Sequence, residues 1–272
     1  MAQIFPALRR PLLFAHRGAS AFAPENTWDA FELGHRLGAP VLELDVHLSR
    51  DGQVVVIHDA TVDRTTNGTG PVRDKTYSEL ADLDAGYHFT RGDQVFPFRD
   101  QGCRLPLLSE VLAAFPDAAF NIEIKQRQPT MIRPVLDLLE GHDPANVLLA
   151  ASDDAIMTEL EAARPGCALG LSVGQVARFI KATYLRRSVE ELRGRALQIP
   201  PSDPAVLFGL LPITTRAVIR KAHASGLEVH LFTLDDPKSA KTWLAKGVDG
   251  IMSNDPAALA PLFDAPKPRV NA

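Results

Sequence analysis

A (β/α)8 TIM barrel, the α/β class, is the fold the sequence predicts, on three observations. Short runs rich in Val, Ile, Leu and Ala alternate with helical runs along most of the 272 residues, the pattern of a parallel sheet with crossover helices. Setting one hairpin return aside, these runs number eight, and a barrel of eight strands uses about 250 residues. Reactive side chains gather where several of the runs end, which is the face on which such barrels carry their sites.

In chain order, residues 12–16 form the first strand. Pro24-Glu25-Asn26-Thr27 then opens an amphipathic helix in which Trp28, Phe31 and Leu33 recur at helical spacing. Residues 41–47 are the second strand, and its return beyond Asp51-Gly52 makes a hairpin. Between 60 and 105 the alternation breaks, with Asn67-Gly68-Thr69-Gly70 followed by Tyr87, His88, Phe89, Phe96, Pro97 and Phe98. A structureless loop of that length is out of place in a compact domain. Residues 60–105 are therefore expected to be a small inserted subdomain that covers something, within a single domain of 1–272. Alternation then resumes, with strands expected at 118–125, 146–152, 167–173, 196–200, 228–234 and 250–253. Helical stretches at 131–140, 215–225 and 237–246 separate several of them.

The stretch from Phe14 to Asp63 carries the chemistry. Asp51-Gly52 suits a two-residue type I′ turn, which pairs Arg50 with Gln53 and, stepping outward, sets Asp45 directly opposite His58. Alternation puts Glu43 on the same face as Asp45. The first strand ends in His16-Arg17-Gly18, and a later strand reads Asn121-Ile-Glu123-Ile-Lys125, again with its charged residues on one face. Charges facing the interior of an apolar barrel are costly unless they bind something. Glu43, Asp45 and Glu123 form a hard oxygen set suited to Mg²⁺ or Ca²⁺. Arg17 and Lys125 beside them call for an anion as well, and phosphate satisfies both. His16 and His58 are placed to take and give protons at neutral pH.

Composition narrows the partners. With 46% hydrophobic residues and a net charge of −4, the chain buries a large core and has no basic field for nucleic acid or an anionic membrane. A small-molecule substrate is expected, without nucleic acid and without stable membrane insertion, since no run approaches the roughly 18 apolar residues of a span. Cys103 and Cys167 stand far apart without metal or redox spacing, which fits a reducing compartment. No long apolar leader occupies residues 1–10, so a cytoplasmic location is expected. The oligomeric state is not encoded in any feature of this kind.

Taken together, His16-Arg17-Gly18, Pro24-Glu25-Asn26-Thr27, Glu43-Leu-Asp45, Asp51-Gly52, His58-Asp59, Arg64-Thr-Thr-Asn67-Gly68-Thr-Gly70, Glu123-Ile-Lys125 and Gly247-Val-Asp249-Gly250 closely resemble the glycerophosphodiester phosphodiesterases nearly end to end. The resemblance implies a (β/α)8 barrel with an insertion after the hairpin and one divalent cation. The implied reaction is hydrolysis of glycerophosphodiesters to glycerol 3-phosphate and an alcohol. It marks Glu43, Asp45 and Glu123 as metal ligands, His16 and His58 as the acid/base pair, and Arg17 and Lys125 as phosphate-stabilising residues.

Two places depart from the family pattern. Phe232-Thr233-Leu234-Asp235 stands where the family commonly has Trp-Thr-Val-Asn, so Phe232 keeps an apolar wall for the substrate but lacks the indole donor. Ser253-Asn254-Asp255-Pro256 is expected to alter a local cap or turn. Glu25 and Asn26 either touch the site or cap the first helix. His47 is expected near the surface toward the hairpin tip, and His230 packed deep in the barrel.

Overall fold

A computed structural model describes residues 3–92, 94–189, 195–201, 206–207 and 211–263. Strands β1 (Leu12–His16), β2 (Val41–Leu48), β4 (Ala119–Ile124), β5 (Val147–Ala150), β6 (Ala168–Gly170), β7 (Arg195–Ile199), β10 (Glu228–Phe232) and β11 (Gly250–Ser253) are joined in parallel. The order β1-β11-β10-β7-β6-β5-β4-β2 closes on itself through a β1–β2 pairing. The expected (β/α)8 barrel is present. Two further strands, β8 (Val206–Leu207) and β9 (Leu211–Pro212), form a separate antiparallel pair.

Helices α1 (Trp28–Arg36), α3 (Leu108–Ala114), α4 (Ile132–Leu139), α5 (Asp154–Ala163), α6 (Val173–Tyr184), α7 (Arg216–Ala224), α8 (Pro237–Leu244) and α9 (Pro256–Leu259) pack around the strands. Side-chain caps fix most of their starts: Thr27 for α1, Asp153 for α5, Ser172 for α6, Thr215 for α7 and Asp236 for α8. The strands are buried on both faces, as parallel strands under helices must be. Their outer faces join the helices in one apolar core that includes Leu42, Leu44, Ile122, Leu149, Leu197 and Val229. A smaller inner cluster of Leu12, Phe14, Val41, Leu148 and Met252 fills the barrel, with Ile4 and Phe5 closing its amino-terminal end.

The hairpin differs from the expected register. Strand β3 (Val54–Val56) pairs with β2 as Leu48↔Val54, His47↔Val55 and Val46↔Val56, and Ser49 N donates to Gln53 O at 2.9 Å. The loop therefore holds three residues, Arg50, Asp51 and Gly52, with Gly52 at φ +80°, a type I turn closed by a left-handed residue. Ser49 explains the shift: its Oγ donates to Asp51 Oδ1 at 2.6 Å and accepts from Gln53 N at 2.9 Å. Asp45 consequently faces Ile57, whose N–H it binds at 2.9 Å, and not His58. The ladder ends at Val56, so His58 is placed by the departing chain.

The segment from 60 to 105 contains helix α2 (Tyr77–Ala81) with a Thr76–Glu79 capping box. It gathers Val62, Val72, Leu80, Ala85, Cys103 and Leu105 onto Val55 and Ile57 in a cluster of its own. No helix among the described residues is long and apolar enough to cross a membrane.

Candidate active site

The barrel register assembles the acidic residues. His16 on β1 is level with Glu43 on β2, and Glu43 with Asn121 on β4; one row further, Asp45 is level with Glu123. Glu43 and Asp45 point inward, 3% and 1% exposed. One oxygen from each of Glu43, Asp45 and Glu123 lies within 4.8 Å of the others. Burial, and then the nearby charges of Asp45 and Glu123, push the Glu43 carboxyl well above the ordinary carboxylate range. Burial would raise Asp45 too, but the positive charges of Lys125 and Arg17 outweigh it and hold its carboxyl low.

The two cations sit among these acids. Lys125 Nζ is 3.1 Å from Asp45 Oδ1 and 2.9 Å from Glu123 Oε2. Arg17 adopts a left-handed backbone, φ +54°, in the turn after β1, and its N–H donates to Glu43 Oε2 at 2.8 Å. Its Nε is 3.3 Å from Asp45 Oδ2, yet it makes no aligned hydrogen bond although it is buried. Gly18, at φ +79°, lets this turn lie directly on α1, where a Cβ would come within 2.4 Å of the Ala30 carbonyl carbon.

The acidic set with its interleaved cations fits a divalent metal beside an anion. Three hard oxygen donors lie within 4.8 Å of one another, the crowding of negative charge at Glu43 is relieved by a cation, and Arg17 Nε is a buried donor without an aligned hydrogen bond.

Both histidines have one ring nitrogen engaged. His16 Nδ1 lies 2.6 Å from Asn254 Oδ1, leaving Nε2 4.0 Å from Glu43 Oε2; burial lowers its pKa, with the Asn254 bond opposing. His58 Nδ1 lies 2.5 Å from Asp59 Oδ1. The carboxyl of Asp59 is itself lowered to about 2: burial opposes, but hydrogen bonds from Arg64 and then His58 prevail. The expected Asp45–His58 pairing is absent, since Asp45 faces Ile57.

Several residues stand differently from expectation. His47 is 4% exposed, not superficial; it shares the inward parity of Asp45 on β2, and the chain departing after β3 covers it, its Nε2 meeting the His58 carbonyl at 3.1 Å. Asn26, at φ +58°, donates to Asp45 Oδ2 at 3.0 Å and accepts from Asp45 N at 3.3 Å, while Thr27 is the helix cap. Glu25 pairs with Arg17 and Arg64. Asp255 does cap α9, but Asn254 reaches His16, a contact across the barrel seam that local spacing does not signal. His230 is fully buried against Phe14, as expected. Phe232 ends β10 on the same rim, 39% exposed. Beside the acidic set, a cleft of about 230 Å³ runs between the first-strand loop and the 60–105 segment, lined among others by Glu25, Arg64, His88 and Phe89.

The model of the glycerophosphoryl diester phosphodiesterase family matches residues 16–258. A glycerophosphodiester phosphodiesterase from Caldanaerobacter subterraneus subsp. tengcongensis is 31% identical over 258 residues, covering 92% of this chain and 96% of its own. A lysophospholipase D from Rattus norvegicus is 27% identical over 272 residues, covering 90% and 83%. Among solved structures, an Oleispira antarctica phosphodiesterase in complex with the product sn-glycerol-3-phosphate superposes with a TM-score of 0.74 at 26% identity, covering 94% and 97%. With the family model spanning both ends of the barrel, the chain belongs to the glycerophosphoryl diester phosphodiesterase family and is an enzyme of that class.

Proposed function

We propose that this chain hydrolyses glycerophosphodiesters to sn-glycerol 3-phosphate and an alcohol, with Glu43, Asp45 and Glu123 holding one Mg²⁺ or Ca²⁺. The observation that carries this reading is the convergence of the three carboxylates within 4.8 Å, with Arg17 and Lys125 set among them. A bound divalent cation would supply Lewis-acid polarisation of a phosphoryl oxygen. Arg17 Nε, a buried donor that makes no aligned hydrogen bond, and Lys125 Nζ meet the charge that grows on the phosphoryl oxygens. One of His16 and His58 takes the proton of the attacking hydroxyl through Nε2 as the new P–O bond forms. The other delivers a proton to the departing alcohol oxygen as the old bond breaks. Phe232 offers an apolar wall for the organic part of the substrate.

The substrate is a small molecule, in keeping with the glycerol phosphate bound by the Oleispira antarctica structure. Cys103 and Cys167 are unpaired, which supports a reducing, cytoplasmic setting. The test is release of glycerol 3-phosphate from glycerophosphocholine and glycerophosphoethanolamine by metal-free protein given Mg²⁺ or Ca²⁺ separately. Metal-dependent release is expected. A folded protein inactive on both diesters with either ion would refute the reading, and headgroup release from a lysophospholipid in that same protein would redirect it to the reaction named for the rat relative.

A further inference from the structure

Arg64 stands outside the set that faces the phosphate, and its side chain is 49% exposed. Its guanidinium nevertheless ties together two carboxylates, each of which holds an active-site side chain. Arg64 Nε donates to Asp59 Oδ2 at 2.5 Å, while Asp59 Oδ1 meets His58 Nδ1. Arg64 Nη1 and Nη2 donate to Glu25 Oε2 at 2.8 Å and Oε1 at 2.7 Å, while Glu25 Oε1 also accepts from Arg17 Nη1 at 3.0 Å. A continuous chain of contacts thus runs from His58 through Asp59, Arg64 and Glu25 to Arg17, and Arg17 reaches Asp45.

The chain around Arg64 is fixed by its own packing. Val62 is fully buried, its N–H bonds Gly70 O at 3.1 Å, and its carbonyl accepts from Thr66 N and from Thr66 Oγ1. Val72 N returns to Ala60 O at 2.9 Å. The small apolar cluster of the 60–105 segment therefore holds the loop from which Arg64 projects.

We propose that Arg64 is a positioning residue for the diester hydrolysis, locking His58 through Asp59 and Arg17 through Glu25 with one rigid fork. The inference rests on the reaction proposed above. Only a guanidinium presents Nε and two Nη donors in a plane that meets two carboxylates at once; a lysine ammonium is a point charge on a flexible stem. Without the fork, Asp59 and Glu25 turn toward water, and the imidazole and Arg17 lose their fixed orientation. Misplacement of reacting groups by about 1 Å costs on the order of 10²-fold in rate.

The test is steady-state hydrolysis of glycerophosphocholine by the metal-loaded parent, Arg64→Ala and Arg64→Lys, with thermal unfolding of each. Arg64→Ala and Arg64→Lys are each expected to lower kcat by about 10-fold or more, with KM within about threefold. Millimolar guanidinium ion, against matched sodium chloride, should restore part of kcat in Arg64→Ala and nothing in the parent. In a Glu25→Gln/Asp59→Asn background, removing Arg64 should cost less than twofold, because the groups it acts through are already altered. Arg64→Gln, which keeps most of the stem, is judged by the same criteria if truncation unfolds the loop. An active parent with Arg64→Ala within twofold in kcat overturns the inference alone, as does an undiminished loss in the Glu25/Asp59 background. A parent inactive on the diester overturns the reaction reading and this inference with it.

Discussion

The ring of His16 meets the side chain of Asn254, 238 positions later in the chain, with Nδ1 2.6 Å from Oδ1. The orientation of that amide is dictated by its other partners. Asn254 Nδ2 donates to Asp235 Oδ2 at 2.9 Å, and a carboxylate only accepts, so Oδ1 must face the imidazole. His16 Nδ1 is then the donor to that oxygen, and Nε2 is the ring nitrogen turned to the site. Replacing Asn254 with Leu removes that constraint and should lower kcat on a glycerophosphodiester by about 10- to 100-fold, a part of what a positioned acid or base contributes. KM should move little. Unchanged kcat in a folded Asn254→Leu protein would show that His16 is held by something else.

What local sequence could reveal depended on whether the relationship was local. The strands are legible because each turns an apolar face to the helices in a short run of Val, Ile, Leu and Ala, and the acidic set because parity on β2 and β4 puts Glu43, Asp45 and Glu123 inward whatever surrounds them. The hairpin register was not, because Ser49 and Asp51 stabilise a loop of three residues where Asp51-Gly52 alone favours one of two. Asn254 and Arg64 escape for a different reason. Their partners are far away in sequence or on an irregular loop, and neither residue belongs to a periodic pattern. Asn26 lies between these cases, since a turn just before Thr27 admits both capping and a left-handed backbone aimed at Asp45.

Glu43→Gln separates stability from function. The raised pKa of Glu43 means that the metal-free fold binds its proton more tightly than the unfolded chain does. Stability from this group is therefore present at low pH and fades as pH rises from the unfolded value of about 4.3 toward the native one. At neutral pH the metal-free protein carries this strain and the glutamine variant does not. Glu43→Gln should raise the melting temperature of metal-free protein while reducing metal-dependent turnover by more than about 10²-fold. Calorimetry with chelator and then with Mg²⁺ or Ca²⁺ checks both halves: the ion should stabilise the parent and leave the variant almost unmoved.

Gly18→Ala tests the turn that carries Arg17. The left-handed φ of +79° and a Cβ only 2.4 Å from the Ala30 backbone leave no flexible atom to move aside, so α1 itself must shift. A loss of about 3 kcal/mol or more in urea unfolding is expected, within the range of backbone strain combined with overpacking. If Gly18→Ala unfolds at the parent's midpoint, the turn does not rest on α1 closely enough to exclude a methyl group.

The closed end of the barrel supplies a pH-dependent test far from the chemistry. Glu228, whose side chain is 4% exposed, accepts from Ile4 N at 2.9 Å and from Arg10 Nε at 3.1 Å, and pairs with Arg10 Nη2 at 2.6 Å. Burial would raise its pKa, but the bonds to His230 and Arg10 hold it below the ordinary value. For a carboxyl depressed in the native state, the stabilisation is present above the unfolded pKa of about 4.3 and is lost as pH falls through the native value. Arg10→Ala leaves that charge buried without its cation and should cost about 3 kcal/mol at pH 7. Near pH 3 protonation removes part of the charge, and the variant should fall closer to its parent. Arg10 also donates to the carbonyls of Leu8 and Phe5, so some loss should remain at any pH. Urea unfolding of both proteins at the two pH values measures the difference; an equal gap at pH 7 and pH 3 would assign the cost to those carbonyl bonds and to packing, and not to the ion pair.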